Sequence, residues 1–162
     1  METLEAIHTL RAVRSYRPEP VPDDILRQIL NAGRLAQSSK NTQPWHFIVV
    51  RERERLNALA ECGRYAQHIA HSAFTVVILQ KTDWSFDIGQ TAAYIQLAAW
   101  DLGVSSCPVY LHEAEKARKL LDSPPELGIQ IAIACGYAAE PPRPAQAGGR
   151  RTLEQVVHWE RW

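Results

Sequence analysis

The residues with the clearest chemical capacity are two pairs of arginines and one polar loop. Arg11-Ala12-Val13-Arg14 stands near one end of the 162-residue chain and Arg150-Arg151 near the other. A guanidinium is a planar fork of donors that meets phosphate with two parallel hydrogen bonds. Isolated arginines are mostly solvated surface, so the pairs gain meaning only with a third element. That element is Ser38-Ser39-Lys40-Asn41-Thr42-Gln43-Pro44-Trp45, a run of hydroxyls and amides leading into an apolar segment. Such groups can bond the edge of a heteroaromatic ring. Together they form the inventory for a phosphorylated planar cofactor, and flavin mononucleotide (FMN) fits that description.

Other chemistries lack their signatures. The eight glycines assemble neither G-x-G-x-x-G nor a P-loop, which disfavours a resident dinucleotide or nucleoside triphosphate site. No G-x-S-x-G elbow is present to expose a serine nucleophile. Cys62, Cys107 and Cys135 are widely spaced, form no C-x-x-C pair and read as buried reduced thiols. His68 and His71 sit three apart, but no acidic or thiol ligand completes a spaced cluster, so no metal is expected. Lysine plus arginine equals aspartate plus glutamate at 18 each, which argues against a nucleic-acid partner. With 46% hydrophobic and 22% charged residues, one globular domain over 1–162 is expected. No apolar run approaches a membrane span, and Met1 to Leu10 lacks a signal-like basic and apolar pattern, so a cytoplasmic location is expected.

The elements that must position these groups alternate along the chain. Helices are expected over Glu2–Leu10, Asp23–Leu35, Arg53–Cys62, Tyr65–His71, Asp87–Leu102 and Glu113–Leu121. The second opens with Pro22, Asp23 and Asp24 and carries an inward stripe of Ile25, Ile29 and Ala32. Strands are expected over Trp45–Val50, Phe74–Leu79, Val104–Leu111 and Ile129–Cys135, with Ile129, Ile131 and Ile133 on one face of the last. Helix Asp87–Leu102 is apolar on more than one side, since Tyr94, Leu97 and Trp100 lie outside the Ile88, Ala92, Ile95, Ala99, Leu102 stripe. The result is an α+β (α/β sandwich) with a mixed, mostly antiparallel sheet. Glu140–Gly149 reads as a Pro-rich arm, and the segment after it, with Leu153, Val156, Val157, Trp159 and Trp162, is too apolar to hang in solvent.

In this order the elements resemble the FMN-dependent nitroreductase family over nearly the whole chain. The residues that carry the resemblance are Leu10–Tyr16 with Pro20-Val21-Pro22, Ala36–Phe47, Asp87–Gly103, Gly136-Tyr137 and Arg150–Val157. The resemblance implies that Arg11, Ala12 and Arg14 form the segment contacting the flavin phosphate and pyrimidine edge, although Leu10 and Ala12 replace a frequent Arg and Ser. It implies that Ser38, Ser39 and Asn41 belong to a flavin loop supplied by the neighbouring subunit, with Gln37 where Pro is usual. Pro108, Val109, Tyr110 and Leu111 resemble the strand end facing flavin N5, where Leu111 replaces a frequent Gly and would narrow the substrate pocket. His68 falls where relatives often place a lysine near the flavin C2 carbonyl. Arg150 and Arg151 would complete the site from an arm exchanged in a homodimer. The implied activity is transfer of hydride or electrons from NAD(P)H through FMN to a small acceptor such as a nitroaromatic or quinone, in ping-pong order and with no catalytic acid or base. The alternatives are a non-catalytic flavin-binding or redox-sensing dimer, and a flavin-cleaving or dehalogenating enzyme on the same fold.

Overall fold

In the computed structural model, which describes residues 1–81, 85–142 and 149–162, five helices and four strands follow in the expected order. They are α1 (Thr3–Thr9), α2 (Asp23–Arg34), β1 (Trp45–Val50), α3 (Arg53–Ala60), β2 (Phe74–Lys81), α4 (Ser85–Asp101), β3 (Ser105–Tyr110), α5 (Ala114–Leu121) and β4 (Leu127–Gly136). The segment before β2 is not an α-helix but a 3-10 turn, Gln67–His71. The strands form one sheet in the order β1-β2-β4-β3. Every neighbouring pair is antiparallel. The expected mixed sheet is therefore corrected. Its only parallel element among the described residues is an isolated bridge, Ala12 to Ser106, on the outer edge of β3.

Helices cover both faces, which is why the central strand β2 is an almost unbroken run of buried residues rather than an alternation. Val76 and Ile78 pack with Leu26 and Ile29 of α2 and Ile95 and Ala99 of α4. Val77 and Leu79 face Leu56 and Leu59 of α3 and Ala117 of α5. The buried stripe of α2 is Leu26, Ile29 and Gly33, with Ile25 only partly buried. Gly33 is required by close packing, because a Cβ there would lie 2.6 Å from Ile95 Cγ1. The Thr91 hydroxyl of α4 donates to the Gly33 carbonyl at 2.7 Å.

The β4 alternation also changes. Pairing shifts between Ile78 and Leu79, whose partners are Ile131 and Ile129, so Gln130 is an extra residue. This bulge turns Ile129 into the α3/α5 layer while Ile133 stays in the α2/α4 layer. The three isoleucines do not share one face.

Candidate functional site

The segment bearing the first arginine pair runs along the outer edge of β3. The Val13 N–H donates to the Ser106 carbonyl at 3.0 Å, and Tyr16 pairs with Ala138. Tyr16 is the anchor: its buried hydroxyl lies 2.6 Å from the Val13 carbonyl and 3.1 Å from that of Ala134. Burial pushes its phenol well above the usual tyrosine range, so it remains a donor. Its ring lies over Gly136, where a Cβ would approach to 3.0 Å. The apolar Val13 and Tyr16 point inward, and Arg14 between them points out. Arg11 donates to the carbonyls of His8 and Leu10 at 2.8 Å each, closing the end of α1.

Arg14 and His68, far apart in sequence, meet in a cleft of about 430 Å³ with Tyr65, Gln67 and His71. His68 is 7% exposed. Its Nε2 has no hydrogen-bond partner among the described residues, an unmet polar group in a buried site. Burial, and then the Arg14 charge, hold its pKa below the usual histidine value, against the carbonyls of Tyr65 and Cys107. The Cys107 contact brings the start of the Pro108–Leu111 segment to this cleft. Tyr65 of this cleft and Tyr110 of β3 each set a ring edge-on to His112, at 6.5 and 5.1 Å between centroids. Gly63 permits this approach, since a Cβ there would meet the Tyr110 carbonyl at 2.7 Å. Pro108 and Tyr110 are exposed on the edge, whereas Val109 packs in the core. Leu111 corrects an expectation. Its side chain is fully buried in the α3/α5 layer, so it narrows no pocket, and its N–H already donates to Gln130 at 2.8 Å.

The polar loop lies elsewhere. Ser38, Ser39 and Asn41 precede β1, at the opposite edge of the sheet. Three interstrand spacings of about 4.8 Å put the two edges about 14 Å apart. The loop is tightly held: Ser38 Oγ accepts the Gln43 N–H at 3.0 Å, and buried Asp87 accepts the Ser39 N–H at 3.2 Å. Lys40, Asn41 and Gln43 adopt positive φ (52°, 55° and 46°), strain of the kind that collects at functional sites. Arg150 and Arg151 are exposed and make no hydrogen bond or ion pair among the described residues. Residues 143–148 of the expected arm lie outside the described residues. In the tail that follows, Trp159 and Trp162 are 80% and 99% exposed.

Sequence reasoning missed Tyr65, Gln67 and His71 as cleft residues and Asp87 as the loop's anchor. The signal for the first three was the polar and aromatic crowding just ahead of an apolar strand. Nothing in the sequence marked Asp87, which looks like an ordinary first-turn acid. The residues present suit a flavin: the cleft has a cation in Arg14, an aromatic ring in Tyr65 and a buried His68 nitrogen with no partner among the described residues.

Residues 7–78 and 63–137 match the nitroreductase family. The chain is 31% identical to an Archaeoglobus fulgidus protein proposed to be an NADH dehydrogenase/NAD(P)H nitroreductase, covering 99% of both chains. A Methanothermobacter thermautotrophicus protein of the same description is 33% identical over all of this chain and 88% of its own. Among solved structures, an FMN-dependent nitroreductase from Clostridium difficile superposes with a TM-score of 0.89 at 26% identity, covering 98% of this chain and 99% of that one. The chain belongs to the nitroreductase family, a family of NAD(P)H oxidoreductases. No helix among the described residues is long and apolar enough to cross a membrane.

Proposed function

We propose that the protein is an FMN-dependent oxidoreductase that takes electrons from NAD(P)H and passes them to a small acceptor such as a nitroaromatic or quinone, in ping-pong order. The observation that carries this reading is the cleft in which Arg14 converges with the buried His68, whose Nε2 has no partner among the described residues, beside the β3 edge. Bound FMN would supply the two-electron redox chemistry, so the protein need only bind, orient and shield it. Arg14 and His68 would meet the polar pyrimidine edge, and Arg11 with Ala12 the flavin phosphate. Pro108 and Tyr110 would lie along the ring as the exposed β3 edge, with Val109 and Leu111 backing it from the core.

A single chain leaves the site incomplete. Ser38, Ser39 and Asn41 are on the wrong edge, and Arg150 and Arg151 hang on an exposed apolar tail. A homodimer would place the loop and late arginines of one copy against the cleft of the other, and would cover Leu153, Val156 and both tryptophans. The test is a purified protein that is yellow, is bleached by NADH or NADPH, and turns over with an added acceptor. A colourless protein that fails to bind FMN overturns the reading. Bound flavin without turnover would leave a flavin-binding dimer. Shared sites are tested by mixing Arg14→Ala subunits with subunits altered at Ser38, Ser39 and Asn41. Recovery of flavin binding on mixing is expected, and its absence refutes the shared arrangement.

A further inference from the structure

Behind Arg14 and His71 a second cleft, of about 500 Å³, opens between the Arg14–Pro18 turn and the start of α3, with Arg53, Asn57 and Ala70 on its far wall. No acidic residue lines it among the described residues. Arg53 is the first residue of α3, and its Nη1 donates to the carbonyls of both Ala70 and Ser72. Those two bonds pin the guanidinium and leave its Nε–Nη2 edge without a partner among the described residues. That edge is the geometry that receives a phosphate with two parallel hydrogen bonds. Arg14 likewise has no hydrogen bond or ion pair among the described residues, and Asn57 and His71 are exposed donors beside it. The neighbouring arginines differ, because Arg17 is paired with Glu19 at 3.2 Å and Arg51 is ion-paired with Asp23.

We propose that the cleft between Arg14, Arg53, Asn57 and His71 is an anion subsite for a nucleotide phosphate, adjoining the flavin cleft through its shared wall. The inference rests on the flavin reading, since it is that reading which makes a nucleotide the incoming ligand. A phosphate held there tethers the remote part of the donor while its reactive end lies in the adjoining cleft, so binding energy far from the chemistry orients the reacting group. The pinned fork lowers the entropy lost on binding, because one arginine is ordered before the anion arrives.

The experiment is calorimetric titration of the FMN-loaded protein with adenosine 2′-phosphate, adenosine 5′-diphosphate and adenosine. At least one phosphate ester should bind about tenfold or more tighter than adenosine, the value of one charge-assisted bond. The ester that binds better identifies whether the donor's 2′-phosphate or its pyrophosphate enters. Asn57→Asp sets a carboxylate one helical turn from Arg53, on an exposed face where the fold should tolerate it, and should abolish the preference by occupying the fork. Arg53→Lys keeps the charge without the fork and should weaken the ester about tenfold. If the cofactor's own phosphate fills the cleft, the loaded protein ignores the esters, and Asn57→Asp instead lowers the preference of flavin-free protein for FMN over riboflavin. That outcome also supports an anion subsite. If the esters bind no better than adenosine and the FMN-to-riboflavin ratio is unchanged in Asn57→Asp, the proposal fails. Failure of the flavin reading is separately visible, because the protein then takes up no FMN at all.

Discussion

Replacing Tyr16 by Phe removes one oxygen and leaves the ring in place over Gly136. In the native protein that oxygen reaches two carbonyls, Val13 at 2.6 Å and Ala134 at 3.1 Å, and both contacts are buried. One phenolic proton serves them, so the loss is one hydrogen bond together with poorer solvation of two carbonyls, about 1–2 kcal/mol. In a domain of this size that corresponds to a fall in Tm of about 2–8 °C. The urea midpoint should fall while the slope stays constant, because the surface exposed on unfolding is unchanged. The effect should extend to the site. Val13 and Tyr16 bracket Arg14, and loosening their anchor leaves the guanidinium less ordered, so FMN affinity should fall as well. Urea titration of the flavin-free protein and fluorescence titration with FMN measure the two effects separately. A variant with native midpoint and native FMN affinity would refute the claim that this hydroxyl holds the arginine segment on the sheet.

Gly63→Ala should cost about 1–3 kcal/mol by overpacking, because the new methyl would face the Tyr110 carbonyl at 2.7 Å and Ala66 Cβ at 2.9 Å, neither on a flexible side chain. Unchanged thermal stability would show that the two segments are free to part. Arg14→Ala should weaken FMN binding about 10- to 150-fold, the equivalent of about 1.5–3 kcal/mol for a charge-assisted bond, which a fluorescence titration would detect. Burial and Arg14 lower the His68 pKa from 6.5, so the unfolded state binds the extra proton and stability is fully present above about pH 6.5 and lost as pH falls below it. Urea midpoints of His68→Gln should therefore decline less between about pH 7 and pH 5 than those of the native chain, and parallel declines would contradict the assignment. Cys62, Cys107 and Cys135 are buried with thiol pKa values raised by burial, so a thiol reagent should modify them only on unfolding; rapid reaction in the folded protein would show otherwise.

Much of this molecule can be read from local pattern alone. Helix and strand periodicities, the Pro22-Asp23-Asp24 start of α2 and the β-rich run of β1 depend on residues a few positions apart. Their boundaries were therefore legible to within a few residues. The arginine pair and the polar loop were legible too, because the chemistry of a guanidinium or an amide belongs to the side chain itself. The direction of a side chain was not. Ile129 turns away from Ile133 because a bulge at Gln130 shifts its pairing, and a bulge is a property of two strands rather than one. Leu111 lies where the alternation is cut off by the end of β3, and only the packed α3/α5 layer decides that it faces inward. His68 reads as one more polar residue on a turn until Arg14 and the Cys107 carbonyl are brought against it. Ser38 and Arg14 seem equal members of one inventory until the order β1-β2-β4-β3 sets them on opposite edges. Local free energies select the elements, but register, burial and convergence arise from contacts between distant segments, which only the assembled sheet and its two helical layers decide.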